Sequence, residues 1–112
     1  MKIVSSVFIL LWAIAVFAQG FLPATEDVPV MDGLYQVEEE ATFDSPSEKM
    51  TIISAKSQEK PDKVSDYYRQ ILMNLGWTVI EKNHYVRGSD TLTLEMTTGK
   101  ETTIQFKLVQ KN

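Results

Sequence analysis

The chain has 112 residues, 44% of them hydrophobic, with eleven basic against fifteen acidic side chains and no cysteine. That length suits one domain and not two. A net charge of −4 without any Lys/Arg cluster argues against the basic face that duplex nucleic acid or anionic lipid headgroups require. The absence of thiols excludes disulfide staples, thiol catalysis and cysteine-based zinc sites.

Residues 1–18 read as an export signal. Lys2 supplies a short positive region, residues 3–17 are uncharged and apolar except for Ser5 and Ser6, and Val16-Phe17-Ala18 places small residues at the −3 and −1 positions of a cleavage site. The alternative is a retained membrane anchor, but the apolar run falls short of the ~20 residues a spanning helix needs. Cleavage after Ala18 leaves 94 residues and a net charge of −5, exported to the periplasm or secreted. No cysteine follows the apolar run, so there is no thiol for lipid attachment.

Residues 19–33 are expected to form an extended lead-in. Pro23 and Pro29 break regular structure there, and Val28, Val30 and Met31 are positioned to dock on the domain edge. Asp32-Gly33 marks a turn, and a single domain over residues 34–112 follows. Residues 34–43 are the first strand. Tyr35, Val37, Ala41 and Phe43 share one parity, and the run Glu38-Glu39-Glu40 marks an edge strand or a bulge. Asp44-Ser45-Pro46-Ser47 turns the chain into a second strand over residues 49–56. There Met50 and Ile52 compete with Ile53 and Ala55 for the inward face.

Residues 61–76 are the helix. Val64, Tyr67, Tyr68, Ile71, Leu72 and Leu75 recur at helical spacing and make one apolar stripe. Pro61 occupies the first turn, Ser57 and Lys60 are both candidates for the cap, and Asn74-Leu75-Gly76 is a stop signal. Four short strands follow from Trp77 onward. Leu92, Leu94 and Met96 alternate strictly with polar residues, as do Ile104, Phe106 and Leu108, the pattern of an antiparallel sheet wet on one face. The order β-β-α-β-β-β-β predicts an α+β fold, a two-layer sandwich with one amphipathic helix on a mostly antiparallel sheet.

Val28-Pro29-Val30-Met31-Asp32-Gly33-Leu34, Phe43-Asp44-Ser45-Pro46, Tyr67-Tyr68 and Leu75-Gly76-Trp77 together resemble a group of small exported bacterial proteins, chiefly of alphaproteobacteria. The resemblance runs from Val28 to Leu108. It implies a fold and an exported compartment and carries no mechanism. The group often has Gly-Arg where this chain has Glu48-Lys49.

Candidates for chemistry are few. His84 is the single histidine and cannot anchor a zinc site alone. Glu38, Glu39 and Glu40 offer oxygens to a hard cation, but alternate strand residues face opposite ways, so a solvated edge fits them better. Asp44, Ser45 and Ser47 look like an acid–nucleophile group and are more simply a turn. Asp90 and Glu95 have no evident acid–base partner.

Tyr67, Tyr68, Trp77 and Tyr85 form the aromatic set. Core packing accounts for such large rings; the alternative is a groove between helix and sheet, which makes these four the candidate ligand- or partner-binding residues. The expected function is a non-catalytic interaction or assembly-accessory module that contacts an envelope protein, with no cofactor and no metal. The alternative is a carrier of a small apolar ligand or peptide in a helix–sheet pocket of ~300 Å³ or more. A hydrolase is the weakest reading and would need a cleft gathering His84, Asp90 and Glu95.

Overall fold

A computed structural model describes residues 20–23, 25 and 27–111. The expected signal and its cleavage point at Ala18 lie outside the described residues. Six strands and one helix follow in the order β1 (Tyr35–Asp44), β2 (Glu48–Ser57), α1 (Pro61–Asn74), β3 (Thr78–Glu81), β4 (His84–Arg87), β5 (Asp90–Thr98) and β6 (Thr102–Lys111). The strands form one sheet in the spatial order β1-β2-β6-β5-β4-β3, every neighbouring pair antiparallel. Helix α1 carries the chain from β2 to the far edge and packs against β3 and β5, so the fold is the expected α+β sandwich.

The two strands with the cleanest alternation supply the centre. Leu92 and Leu94 of β5 and Ile104, Phe106 and Leu108 of β6 are buried on the helix side. The register sets Leu92 opposite Leu108 and Leu94 opposite Phe106. Strand β2 settles its ambiguous parity in favour of Ile53 and Ala55, which are buried along with Thr51 and Ser57, and Met50 and Ile52 face outward.

Strand β1 departs from the expected single parity. Its register slips between Tyr35 and Glu38 and again between Glu39 and Ala41. Gln36 takes φ +50° at the first irregularity. Each extra residue turns the following side chains over. Val37 therefore packs against the core, while Ala41 and Phe43 stand opposite Ile52 and Met50 on the outer face.

The helix begins with Lys60 at the cap position and Pro61 in the first turn; Ser57 accepts instead from the Glu59 amide at 3.0 Å. Val64, Tyr68 and Leu72 are buried, and Tyr67 and Ile71 are half-buried. The stripe is rotated toward Ser65, which is also buried. Leu75 leaves the stripe and is 37% exposed, because it is the C-cap residue, past the last helical turn.

The stop itself is a Schellman motif. The Trp77 amide donates to the Leu72 carbonyl at 2.9 Å and the Gly76 amide to Met73 at 3.1 Å. Gly76 sits at φ +93°, and a Cβ there would meet Arg87 Cδ at an ordinary 3.6 Å. The cost of Gly76→Ala is thus conformational and not steric. We expect it to destabilise the domain by about 1–2 kcal/mol in a urea titration, with the m-value unchanged.

The lead-in is part of the core and not a tether at its edge. Leu22, Val28 and Met31 are all buried. The Leu22 amide donates to the Val28 carbonyl at 2.8 Å, and the Val30 amide donates to Gly20 at 3.0 Å, so the segment folds back on itself. Its apolar side chains join the same core cluster as Ile53 and Phe106, completing the cover that a single helix cannot give six strands.

Candidate functional site

Tyr68, Trp77 and Tyr85 are buried, each at most 3% exposed. Tyr68 meets Phe106 edge-on with centroids 5.2 Å apart, and Tyr67 meets Tyr68 in the same way at 5.0 Å. The Tyr68 hydroxyl donates to the Pro29 carbonyl at 2.9 Å and accepts from the Met31 amide at 3.1 Å. Its role is to tie the lead-in to the helix. Burial raises the Tyr68 pKa far above the ordinary 10.0. Tyr67 and Tyr85 are also raised, chiefly by burial; Asp32 adds to the shift at Tyr67, and Arg69 opposes it at Tyr85.

Trp77 lies under the Arg87 guanidinium, 4.6 Å from the ring centroid. Arg87 also donates to the Leu75 carbonyl at 3.1 Å, where a cation suits the negative end of the helix, and it pairs with Asp27 of the lead-in. Gln110 Nε2 reaches the other Asp27 oxygen at 3.2 Å. Arg87 thus joins helix end, sheet and lead-in, a role its place in a four-residue strand does not advertise.

The four aromatics therefore line no single groove. Tyr67 borders two open depressions between helix and lead-in, of about 430 and 230 Å³, which share Met31 and Lys63. Tyr85 borders a third, of about 330 Å³, between α1 and the β3–β4 hairpin. This third cleft reaches the size expected of a ligand pocket, but most of the side chains that line it are polar or charged. Ser65, Asp66, Arg69, Glu81, Lys82 and Asn83 surround Val79 and Tyr85.

His84, Asp90 and Glu95 do not gather in a cleft. His84 is opposite Thr93, with its side chain on the outer face of the sheet. Asp90 accepts from the Lys111 amide at 3.2 Å at the start of β5, five residues from Glu95, a separation of roughly 17 Å along a strand. Ser45 closes its turn locally: its hydroxyl donates to the Glu48 carbonyl and accepts from the Glu48 amide, both at 3.1 Å. Among the described residues no group of three His, Cys, Asp or Glu is placed to hold a metal ion, and no helix is long and apolar enough to cross a membrane.

No family model, curated protein or solved structure matches this chain. On the outer face, the register aligns Phe43, Met50, Val109, Thr91 and Val86 in one row across five strands. The next row begins with Ala41, Ile52 and Lys107. Phe43, at the β1 end of the row, is 60% exposed. Beside it, β1 has no strand on its outer side among the described residues.

Proposed function

We propose that the chain is a non-catalytic, exported module that works by protein contact through the outer edge of β1 and the apolar row next to it. The observation that carries this reading is Phe43, a large ring held 60% exposed beside Met50 and an unpaired strand edge. An edge strand offers a ready ladder of N–H and C=O groups to an added strand. Residues 41–44 pair regularly with β2, so their free side is straight enough to receive one. The irregular part of β1 carries Glu38, Glu39 and Glu40, all exposed, which discourage edge-to-edge stacking of identical chains. The same charges favour a partner strand that combines apolar and basic residues. Export rests on the apolar stretch of residues 3–17 and on the resemblance to exported proteins. If residues 1–18 are retained, the same edge is presented from a membrane anchor.

The test is photo-crosslinking in the native envelope, with the photoreactive residue placed in turn at 41, 43 and 82. Position 82 lies on the β3–β4 hairpin, at the far edge of the sheet. We expect one reproducible partner from 41 and 43 and none from 82. Phe43→Asp should reduce the adduct formed from position 41 at least tenfold while leaving stability within about 0.5 kcal/mol, as exposed substitutions usually do. Absence of any adduct from 41 and 43 rejects the proposed edge.

A further inference from the structure

The cleft between α1 and the β3–β4 hairpin has an unusual electrostatic inventory. Asp66 and Arg69 project from the helix and Glu81 from β3, and none of the three makes an ion pair among the described residues. Lys82 lies on the same rim, but its ammonium is drawn away to Asp62 at 3.3 Å. The unpaired charges facing the cleft are therefore two carboxylates and one guanidinium.

The floor adds a second observation. Ser65 is 7% exposed, yet its hydroxyl has only the thioether sulfur of Met96 to donate to, at 3.9 Å. Thioether sulfur is a weak acceptor, so this hydroxyl is poorly satisfied for its burial. Ser65 is among the residues that line the cleft, and Val79 gives it an apolar patch. Arg69 lines the same cleft from the helix side.

We propose that this cleft binds a free basic amino acid, lysine or arginine. Such a molecule carries two cationic groups and one carboxylate, the complement of the unpaired set. Arg69 can hold the carboxylate through its fork of donors. Asp66 and Glu81 take the α-ammonium and the side-chain cation, and the methylene stem lies along the half-buried Val79. An acidic amino acid would set a second carboxylate against Asp66 or Glu81, and a simple diamine would leave Arg69 without a counter-charge. The cleft is at the β3 edge, across the sheet from β1, so this site and the proposed protein contact stand or fall separately.

The test is calorimetric titration of the full-length protein at about 0.1 M salt, where exposed charges still interact across a Debye length of roughly 10 Å. We expect L-lysine or L-arginine to bind with a dissociation constant of about 1 mM or tighter, a modest value suited to a small ligand in an open cleft. L-Glutamate, putrescine and Nα-acetyl-L-lysine should bind at least tenfold more weakly. Arg69→Gln and Glu81→Gln should each weaken lysine binding tenfold or more without moving the melting temperature. Equal binding of Nα-acetyl-L-lysine would overturn the free amino acid in favour of a peptide carboxy-terminus. No detectable binding of either basic amino acid at 10-fold the expected constant, about 10 mM, would overturn the site altogether.

Discussion

Leu72→Asp should abolish the cooperative circular-dichroism melt. Leu72 is fully buried on α1, and its carbonyl also receives the Trp77 amide of the helix stop. Losing its side chain alone costs about 2–5 kcal/mol once the cavity is counted. An unpaired carboxylate in the same place adds several kcal/mol of desolvation, or else titrates and stays neutral at a similar cost. Domains of this size have roughly 5–15 kcal/mol of stability in all. Leu72→Ala should therefore still fold, with its melting temperature lowered by about 10–30 °C. Met73→Gln, one residue along and 53% exposed, should change little, within about 0.5 kcal/mol. A native melt in Leu72→Asp would mean that the helix presents another face to the sheet.

The contrast between Leu72 and Met73 is legible in the residues themselves, because a helix buries one stripe and a run of 14 residues leaves little choice of phase. The same holds for β5 and β6, where strict alternation and a short loop set the register. The start at Pro61 and the left-handed stop at Gly76 are also local facts. Strand β1 is different. The run Glu38-Glu39-Glu40 does mark an edge strand or a bulge, and β1 is both, but a bulge needs no particular side chain, so nothing in Tyr35-Gln36-Val37 says that Val37 and Ala41 will face opposite ways.

Tertiary pairing accounts for what else was hidden. The Tyr68 hydroxyl finds its partners in the backbone of Pro29 and Met31, and every residue offers a carbonyl. Asp27 and Arg87 are 60 residues apart, and only the folded chain makes them neighbours. Asp66 and Arg69 read as the solvated side of an amphipathic helix, and Glu81 as the end of a short strand. The cleft they share exists because the β3–β4 hairpin rises beside α1 at the far edge of the sheet. Aromaticity drew attention to Tyr67, Tyr68, Trp77 and Tyr85, but three of these four are spent on the core.

The fastening of the lead-in gives the second large effect. Tyr68→Phe preserves the ring and its edge-on contacts with Phe106 and Tyr67 but removes one buried donor and one buried acceptor. The Pro29 carbonyl and the Met31 amide are then left without their partner, and each unsatisfied group costs about 1–3 kcal/mol. We expect a loss of roughly 2–6 kcal/mol in urea unfolding. Hydrogen exchange at the Met31 amide should accelerate by more than the global loss explains, because the lead-in opens before the sheet.

The same hydroxyl sets an alkaline limit. Its folded pKa is raised above the ordinary 10.0, so the folded state holds this proton more tightly than the unfolded state does. That contribution is fully present below pH ~10 and is lost as pH rises beyond it, at up to about 1.4 kcal/mol per pH unit for one proton. Tyr67 and Tyr85 are shifted in the same direction and will leave some slope of their own. Tyr68→Phe should be less stable than the parent at pH 7 and fall less steeply above pH ~10. A variant that keeps the parent's alkaline slope would show that the alkaline loss does not come from this hydroxyl.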